Sequence, residues 1–342
     1  MSLRLLPPPD AVPATMNAAF FDGAGGPEVL NVRRTRVPEP GPGEILIRVG
    51  AAGLNRADVQ QRQGHYAPPP GASDIPGLEV AGTVAGRGRG VSELAWPEGR
   101  EVCALLSSGG YAEFVAVPAG QVLPIPEGLD VIQAAALPEA ACTVVSNLSG
   151  AVHVREGDWV LVHGGSGGIG SFALQYLREL GARTIATASS APKLQWAAAH
   201  GAEHLINYQD EDFVERVAEI TAGHGADVIL DVVGAKYLAK NVHALADGGR
   251  LVTIGLSGGV KAELNLGELL SKRAGVLATA LRSRPPEEKA GIVAHVHTRV
   301  WPLVEIERIT VDVDRVFGLH QVREAHEYFD SGEHRGKIVL RV

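Results

Sequence analysis

The sequence predicts a two-domain α/β protein in which a β-rich domain surrounds an inserted domain built on a doubly wound parallel sheet. Three observations predict it. At 342 residues the chain is too long for one ordinary domain and comfortable for two. Before residue 129 short apolar runs are broken by glycine and proline; after it, helical stretches alternate with β-branched runs, as βαβ units do. A cluster of glycines separates one such run, residues 159–163, from the helical pattern behind it.

Taken in order, residues 1–15 carry Pro7, Pro8, Pro9 and Pro13, with too few apolar residues after Leu6 for a signal-peptide core. They read as a disordered leader or a start-site artefact, because Met16, the only other methionine, directly precedes a first strand at 17–21. Strands are expected at 44–49, 78–85, 101–106 and 111–117, with helical turns over 56–63 and a proline-rich loop at 67–71. In the inserted domain, strands are expected at 159–163, 184–187, 228–233, 250–254 and 276–281, with helices such as 169–180 and 193–200 between them. A β reading returns at 309–317, then a helix over 321–329 and a strand at 337–341. The expected domains are 16–138 with 303–342, and 139–302.

Composition excludes several classes. Hydrophobic residues at 45%, charged residues at 20% and 42 glycines fit neither a disordered chain nor a collagen-like one. Acidic residues outnumber basic ones, 39 to 31, which argues against a nucleic-acid partner. The two cysteines, Cys103 and Cys142, form no ligand cluster and suit a reducing compartment. No apolar stretch reads as long enough to span a membrane. The expectation is a cytoplasmic protein with no membrane partner.

The chemistry begins at the glycines. Gly165, Gly167 and Gly170 have G-x-G-x-x-G spacing between a predicted strand and a predicted helix, with Ser166, Gly168 and Ile169 between them. That context points to a dinucleotide: a tight turn, bare backbone against the diphosphate, and a helix N-terminus for the anion. An NAD site usually places an acid about 20 residues on. Here residues 186–193 contain none, and Ser189, Ser190 and Lys193 suit the 2′-phosphate of NADPH. Tyr208 adds a hydroxyl or a ring for the adenine. The competing reading makes Ser189 and Ser190 helix caps and Lys193 a solvated residue.

The ordered set Gly53–Asp58, Gln63–Gly71, Pro76–Gly82, Gly164–Gly170 and Gly336–Val339 resembles the medium-chain dehydrogenase/reductase superfamily, and within it the zinc-independent, zeta-crystallin-like quinone oxidoreductases. Asn55–Asp58, Pro138–Ala140 and Leu281–Arg284 are similar to the branch that contains the tumour-suppressor-inducible quinone oxidoreductase. The resemblance covers residues 16–342. It implies a GroES-like catalytic domain, a Rossmann cofactor domain, and a homodimer joined through the strand at 276–281.

Zinc-dependent relatives have cysteine where Asn55 stands, histidine where Leu78 stands and usually cysteine near Glu139, so no metal is expected. His295 and His297, two apart on a predicted helix, face different ways and read as surface residues. The resemblance places Asn55 and Tyr66 beside the nicotinamide as catalytic residues and Thr143 on its carboxamide. Gly255, Leu256 and Leu281 lie around the cofactor, and Lys337 near its diphosphate or ribose. Competing structural readings are a turn residue for Asn55, a packing tyrosine for Tyr66, a backbone-bonded hydroxyl for Thr143 and a surface lysine for Lys337. Two departures stand out: Ser189 where the family usually has glycine, and Gln60 where some bacterial relatives have tyrosine.

The expected function is reduction of a quinone by hydride from NADPH without a metal. A quinone delocalises the charge it gains, so proximity and orientation supply most of the catalysis. One alternative is an alkenal, enone or enoyl-thioester reductase acting on an electrophilic carbonyl compound. Another is an NADPH-binding protein with no catalytic role.

Overall fold

The computed structural model describes residues 11–342. Of the expected leader 1–15, residues 1–10 lie outside the described residues, and Thr15 opens the first strand, Thr15–Phe21. Contacts divide the chain into two units, one running through Glu139 with Arg282–His297 and Val311–Val342, the other Ala140–Leu281 with Thr298–Thr310. The C-terminal segment therefore changes unit more than once, where a single change near residue 302 is the sequence expectation.

The first unit is built on a seven-stranded sheet. Its strands run Val313–Gly318, Lys337–Arg341, Glu44–Leu54, Glu79–Arg87, Glu101–Leu105 and Val122–Pro124, and Phe114–Pro118 pairs Glu44–Leu54 off that path. Ile45, Ile47 and Val49 alternate into a core shared with Val80, Phe114 and Ile338, and past the register shift between Val49 and Ala51 Leu54 joins the same core. A separate antiparallel ribbon joins Thr15–Phe21 to Leu30–Arg36. The second ribbon strand has no sequence signal, since Asn31, Arg33, Arg34 and Arg36 break the apolar pattern. Residues 309–312, expected as strand, are irregular, and the strand begins at Val313.

The second unit carries a six-stranded, wholly parallel sheet in the order His204–Asn207, Arg183–Ala188, Trp159–His163, Ala226–Asp231, Leu245–Thr253, Gly275–Ala278. In chain order this is 3-2-1-4-5-6, the Rossmann arrangement, whose topological switch lies between strands one and four. Leu161, Ile185, Ile206, Ile229 and Leu251 form its core with Phe213 and Val217. Strand six ends at Ala278 rather than 281, is an edge, and is only partly buried.

One expectation is overturned. The helical run Val131–Ala151 spans 21 residues at a mean hydropathy of 1.3, long and apolar enough to cross a membrane by those criteria. Since 72% of that window is buried, core packing accounts for its apolarity.

Candidate functional site

In the second unit the glycine turn is pinned by Gly164 N and Gly165 N, which both donate to Thr187 O on strand two at 3.1 and 3.0 Å. The helix Gly168–Glu179 starts from Gly167 as its N-cap, so its first N–H groups have no intrahelical acceptor. Gly170 is obligatory, because a Cβ there would lie 2.2 Å from Gly164 O and 2.8 Å from Gly165 Cα. At Gly167 a Cβ would meet only Gly164 O within 4 Å, at 3.7 Å. A diphosphate fits this end: orphan donors, a helix dipole and an open approach. Ser166 is buried in the turn.

Strand two ends at Ala188, and Tyr208 N donates to Ala188 O at 3.2 Å, which brings Tyr208 beside Ser189. Ser190 is the N-cap of Ala191–Ala199 in extended backbone, yet its hydroxyl makes no cap bond. The serine therefore caps the helix by its backbone position and not by its side chain, and Lys193 falls in the same helix's first turn. Gly255 and Leu256 follow strand five, with Leu256 exposed. Asp231, at the end of strand four, accepts from Val233 N at 2.8 Å and Gly234 N at 2.9 Å and fixes the neighbouring loop. The Thr143 carbonyl accepts from Asn147 Nδ2 at 2.7 Å, and Asn147 Oδ1 accepts from Thr279, two residues before the buried Leu281.

The first unit holds a buried polar cluster that local pattern does not announce. Lys337 Nζ donates to Asn55 Oδ1 at 2.6 Å and to Glu79 Oε1 at 2.5 Å. Asn55 Nδ2 also donates to Glu79 Oε1, at 2.9 Å, and Glu139 N donates to Glu79 Oε2 at 2.9 Å. Glu79 thus lies fully buried with both oxygens bonded. Gly53 makes room for it: a Cβ there would sit 2.1 Å from Glu79 Oε1.

Two sequence expectations change. Lys337, expected beside a cofactor phosphate or ribose, is buried in an ion pair with Glu79. Asn55 has both ends of its amide bonded, to Lys337 and to Glu79, while its backbone caps its own turn, so it serves both.

Asp58 extends the cluster. Its carboxylate accepts from Asn55 N at 2.8 Å, Tyr111 Oη at 3.0 Å and Gly77 N at 3.2 Å, and burial raises its pKa to about 6. Glu139, in the first turn of Pro138–Val145, is pushed up to about 8 by burial and then by the Glu79 carboxylate, against the pull of Lys337. Unlike Glu79 and Asp58, Glu139 keeps part of its surface exposed.

Tyr66 is anchored by Arg282, whose guanidinium lies 5.4 Å from the tyrosine ring centre and donates to Ser107 O at 2.6 Å and Gln61 Oε1 at 2.7 Å. Burial, and then Glu139, raise the pKa of its phenol. Arg282 and Lys289 border a cavity of about 580 Å3, which Gln121, Phe114 and Pro69 also line. Behind the cluster, Arg62 is fully buried and donates to Asp330 at 2.6 Å and to His326 Nδ1 at 3.1 Å. A guanidinium only donates, so the His326 proton sits on Nε2. Burial pushes the His326 pKa down to about 3.

Of the expected site residues, the fold brings Ser189, Lys193 and Tyr208 together at the glycine-turn end of the sheet. It joins Asn55, expected beside the nicotinamide, to Lys337, expected near the diphosphate or ribose. Glu79, Glu139 and Asp58 are the residues missed. Buried charges are seldom isolated, so Glu79 within an apolar strand was the one available signal.

The chain matches the zinc-binding dehydrogenase family over residues 168–297 and the alcohol dehydrogenase GroES-like domain over residues 41–127. A quinone oxidoreductase of Rattus norvegicus is 32% identical over 324 residues, covering 92% of this chain and 94% of the relative. A 2-haloacrylate reductase of Burkholderia is 30% identical over 331 residues, 94% of this chain and 98% of the relative. The solved quinone oxidoreductase of Escherichia coli, complexed with NADPH, superposes with a TM-score of 0.85 at 30% identity, covering 96% of this chain and all of that one.

Proposed function

This chain belongs to the quinone oxidoreductase family of medium-chain dehydrogenases/reductases, with a GroES-like and a Rossmann-type domain, and on that premise we propose that it reduces quinones with NADPH. The observation that carries the choice of cofactor is the end of strand two. Two hydroxyls and Lys193 stand there, beside Tyr208, where an NAD site has an acid. NADPH, when bound, supplies the hydride. The N–H groups of Gly165–Gly170 bind the diphosphate, and Ser189 and Lys193 bind the 2′-phosphate. Thr143, Gly255, Leu256 and Leu281 line the nicotinamide half, and Tyr66 orients the acceptor from a loop braced by Arg282.

The reaction as proposed uses no zinc. Leu78 offers no donor atom, and the Asn55 and Glu79 oxygens already hold an ammonium. The edge strand Gly275–Ala278, left partly open, is the surface on which a homodimer would form. Cys103 and Cys142 are buried thiols, in keeping with a reducing cytoplasm.

A second reading, reduction of an activated alkene, is favoured by the likeness to the 2-haloacrylate reductase. One experiment separates them: steady-state oxidation of NADPH and NADH against para- and ortho-quinones and an enone, after exhaustive chelation. NADPH-selective quinone turnover is expected. Turnover of the enone alone moves the function to alkene reduction, and activity restored only by zinc removes the metal-free reading.

A further inference from the structure

The cavity of about 580 Å3 lies wholly within the first unit, and two buried cations border it without a carboxylate to match them. Lys289, in the first turn of the helix Pro286–Arg299, donates from Nζ to the Ser107 hydroxyl. Arg282 donates to Ser107 O, Gln61 Oε1 and Tyr66 O. All of these acceptors are neutral, and neither cation is in an ion pair among the described residues. Asp58 acts on Arg282, and Glu139 on both cations, only at longer range. Arg284, by contrast, has Glu288 at 3.8 Å. The two acids on the cavity wall are engaged or exposed: Glu44 accepts from Gly41 N at 2.8 Å, and Asp74 lies open to solvent. A buried charge without a counter-charge is costly, so this end of the cavity is suited to an anion.

A second observation points the same way. Gln121 lines the cavity at 3% exposure, and its Oε1 is buried without a hydrogen-bond partner among the described residues. Its neighbour Gly120 packs on the lysine's helix, since a Cβ there would lie 2.8 Å from Ala290 Cβ. The segments that carry Gln121 and Lys289 are therefore in contact. Phe20, Leu106 and Phe114 add apolar wall.

We propose that this cavity binds a carboxylate carried on an apolar body, with Lys289 and Arg282 holding the carboxylate and Gln121 accepting from a hydroxyl of the same ligand. An ammonium has three N–H donors, of which Lys289 has placed one; a guanidinium has five, of which Arg282 has placed three. The spare donors match the two oxygens of a carboxylate. A volume of about 580 Å3 suits a ligand of one or two rings. The same guanidinium braces the Tyr66 loop, so an occupant here bears on the acceptor side of the proposed reduction. The carboxylate has two possible sources. One is a side chain of the acceptor itself, which rests on that reaction; the other is a separate acid, which does not.

The test uses the full chain in calorimetric titration, with para-hydroxybenzoate as the probe and the neutral para-hydroxybenzamide as its control. Wild type is expected to bind the acid at one site, about tenfold more tightly than the amide. Lys289→Met is expected to remove that preference and leave amide binding unchanged. Gln121→Leu is expected to weaken para-hydroxybenzoate but not benzoate. Equal wild-type affinity for acid and amide overturns the site, and so does a Lys289→Met protein that keeps the preference. The wild-type comparison decides the matter even where a variant fails to fold. Steady-state kinetics then separates the sources. A naphthoquinone with a carboxylate-ended side chain has a lower KM than its amide, in wild type but not in Lys289→Met, where the acceptor carries the group. Equal KM values, with para-hydroxybenzoate changing turnover of both quinones without competing, assign the site to a separate acid. A wild type that binds para-hydroxybenzoate yet reduces no quinone leaves the carboxylate site standing and overturns the proposed reduction.

Discussion

The two units reach function by opposite means. The glycine turn of the second unit works with backbone: N–H groups, bare Cα atoms and a helix end, all within seven consecutive residues, Gly164–Gly170. The cluster of the first unit works with side chains that the chain supplies from far apart. Asn55 and Glu79 are separated by 24 residues, Glu79 and Lys337 by 258, and Asn55 and Lys337 by 282. The first device depends on bare backbone at Gly170, where a Cβ would lie 2.2 Å from Gly164 O. The second depends on the balance of charge, and losing one member leaves its partner stranded.

That contrast can be broken by substitution, the largest effect first. Lys337→Met leaves the Glu79 carboxylate buried with only amides for partners, and is expected to cost about 3–5 kcal/mol in urea unfolding. Adding Glu79→Gln should recover most of it in a double-mutant cycle; equal losses for the single and double variants would dissolve the charge-balance account.

Gly170→Ala puts a methyl group 2.2 Å from Gly164 O, and a thermal melt should register about 1–3 kcal/mol, with NADPH binding lost in titration. A variant that still binds NADPH would show that the turn has room to shift. Lys193→Ala should weaken NADPH binding about tenfold and leave NADH untouched, since only the phosphorylated cofactor carries the charge. Equal losses for both cofactors would detach Lys193 from the 2′-phosphate.

The smallest effect is a slope. Folding holds His326 neutral, with a pKa near 3 against an ordinary 6.5, so the unfolded chain takes up its proton first as the pH falls. Its contribution to stability is therefore present above 6.5 and is lost between 6.5 and 3. His326→Asn, which keeps an acceptor for Arg62, should flatten that acid limb in pH-dependent unfolding; an unchanged limb would move the acid sensitivity elsewhere.

The same contrast explains what the sequence made legible. The glycine spacing, the strand before it and the acid-free end of strand two are local, and local signals survive in a one-dimensional reading. The parallel strands were found for the same reason, as β-branched runs at regular intervals. Lys337 was seen, but its partners were not, because nothing in Gly336–Val339 says which strand lies beside it. That information resides in the antiparallel register that sets Ile338 against Leu54 and so brings Lys337 to Asn55. The ribbon strand Leu30–Arg36 was missed because its arginines obscure the alternation.

The register of Lys337–Arg341 against Glu44–Leu54 also sets an order of events on the ribosome. The second unit has all its residues once Thr310 has been made. The first has its long central strand early, yet must wait 282 residues after Asn55 for the lysine that neutralises Glu79. At ordinary rates of translation that delay is on the order of tens of seconds. Throughout it, the nascent chain carries an unfinished sheet edge and an uncompensated acid. Chaperones that shield open strand edges would therefore be needed by the earliest-made part of this protein rather than the latest.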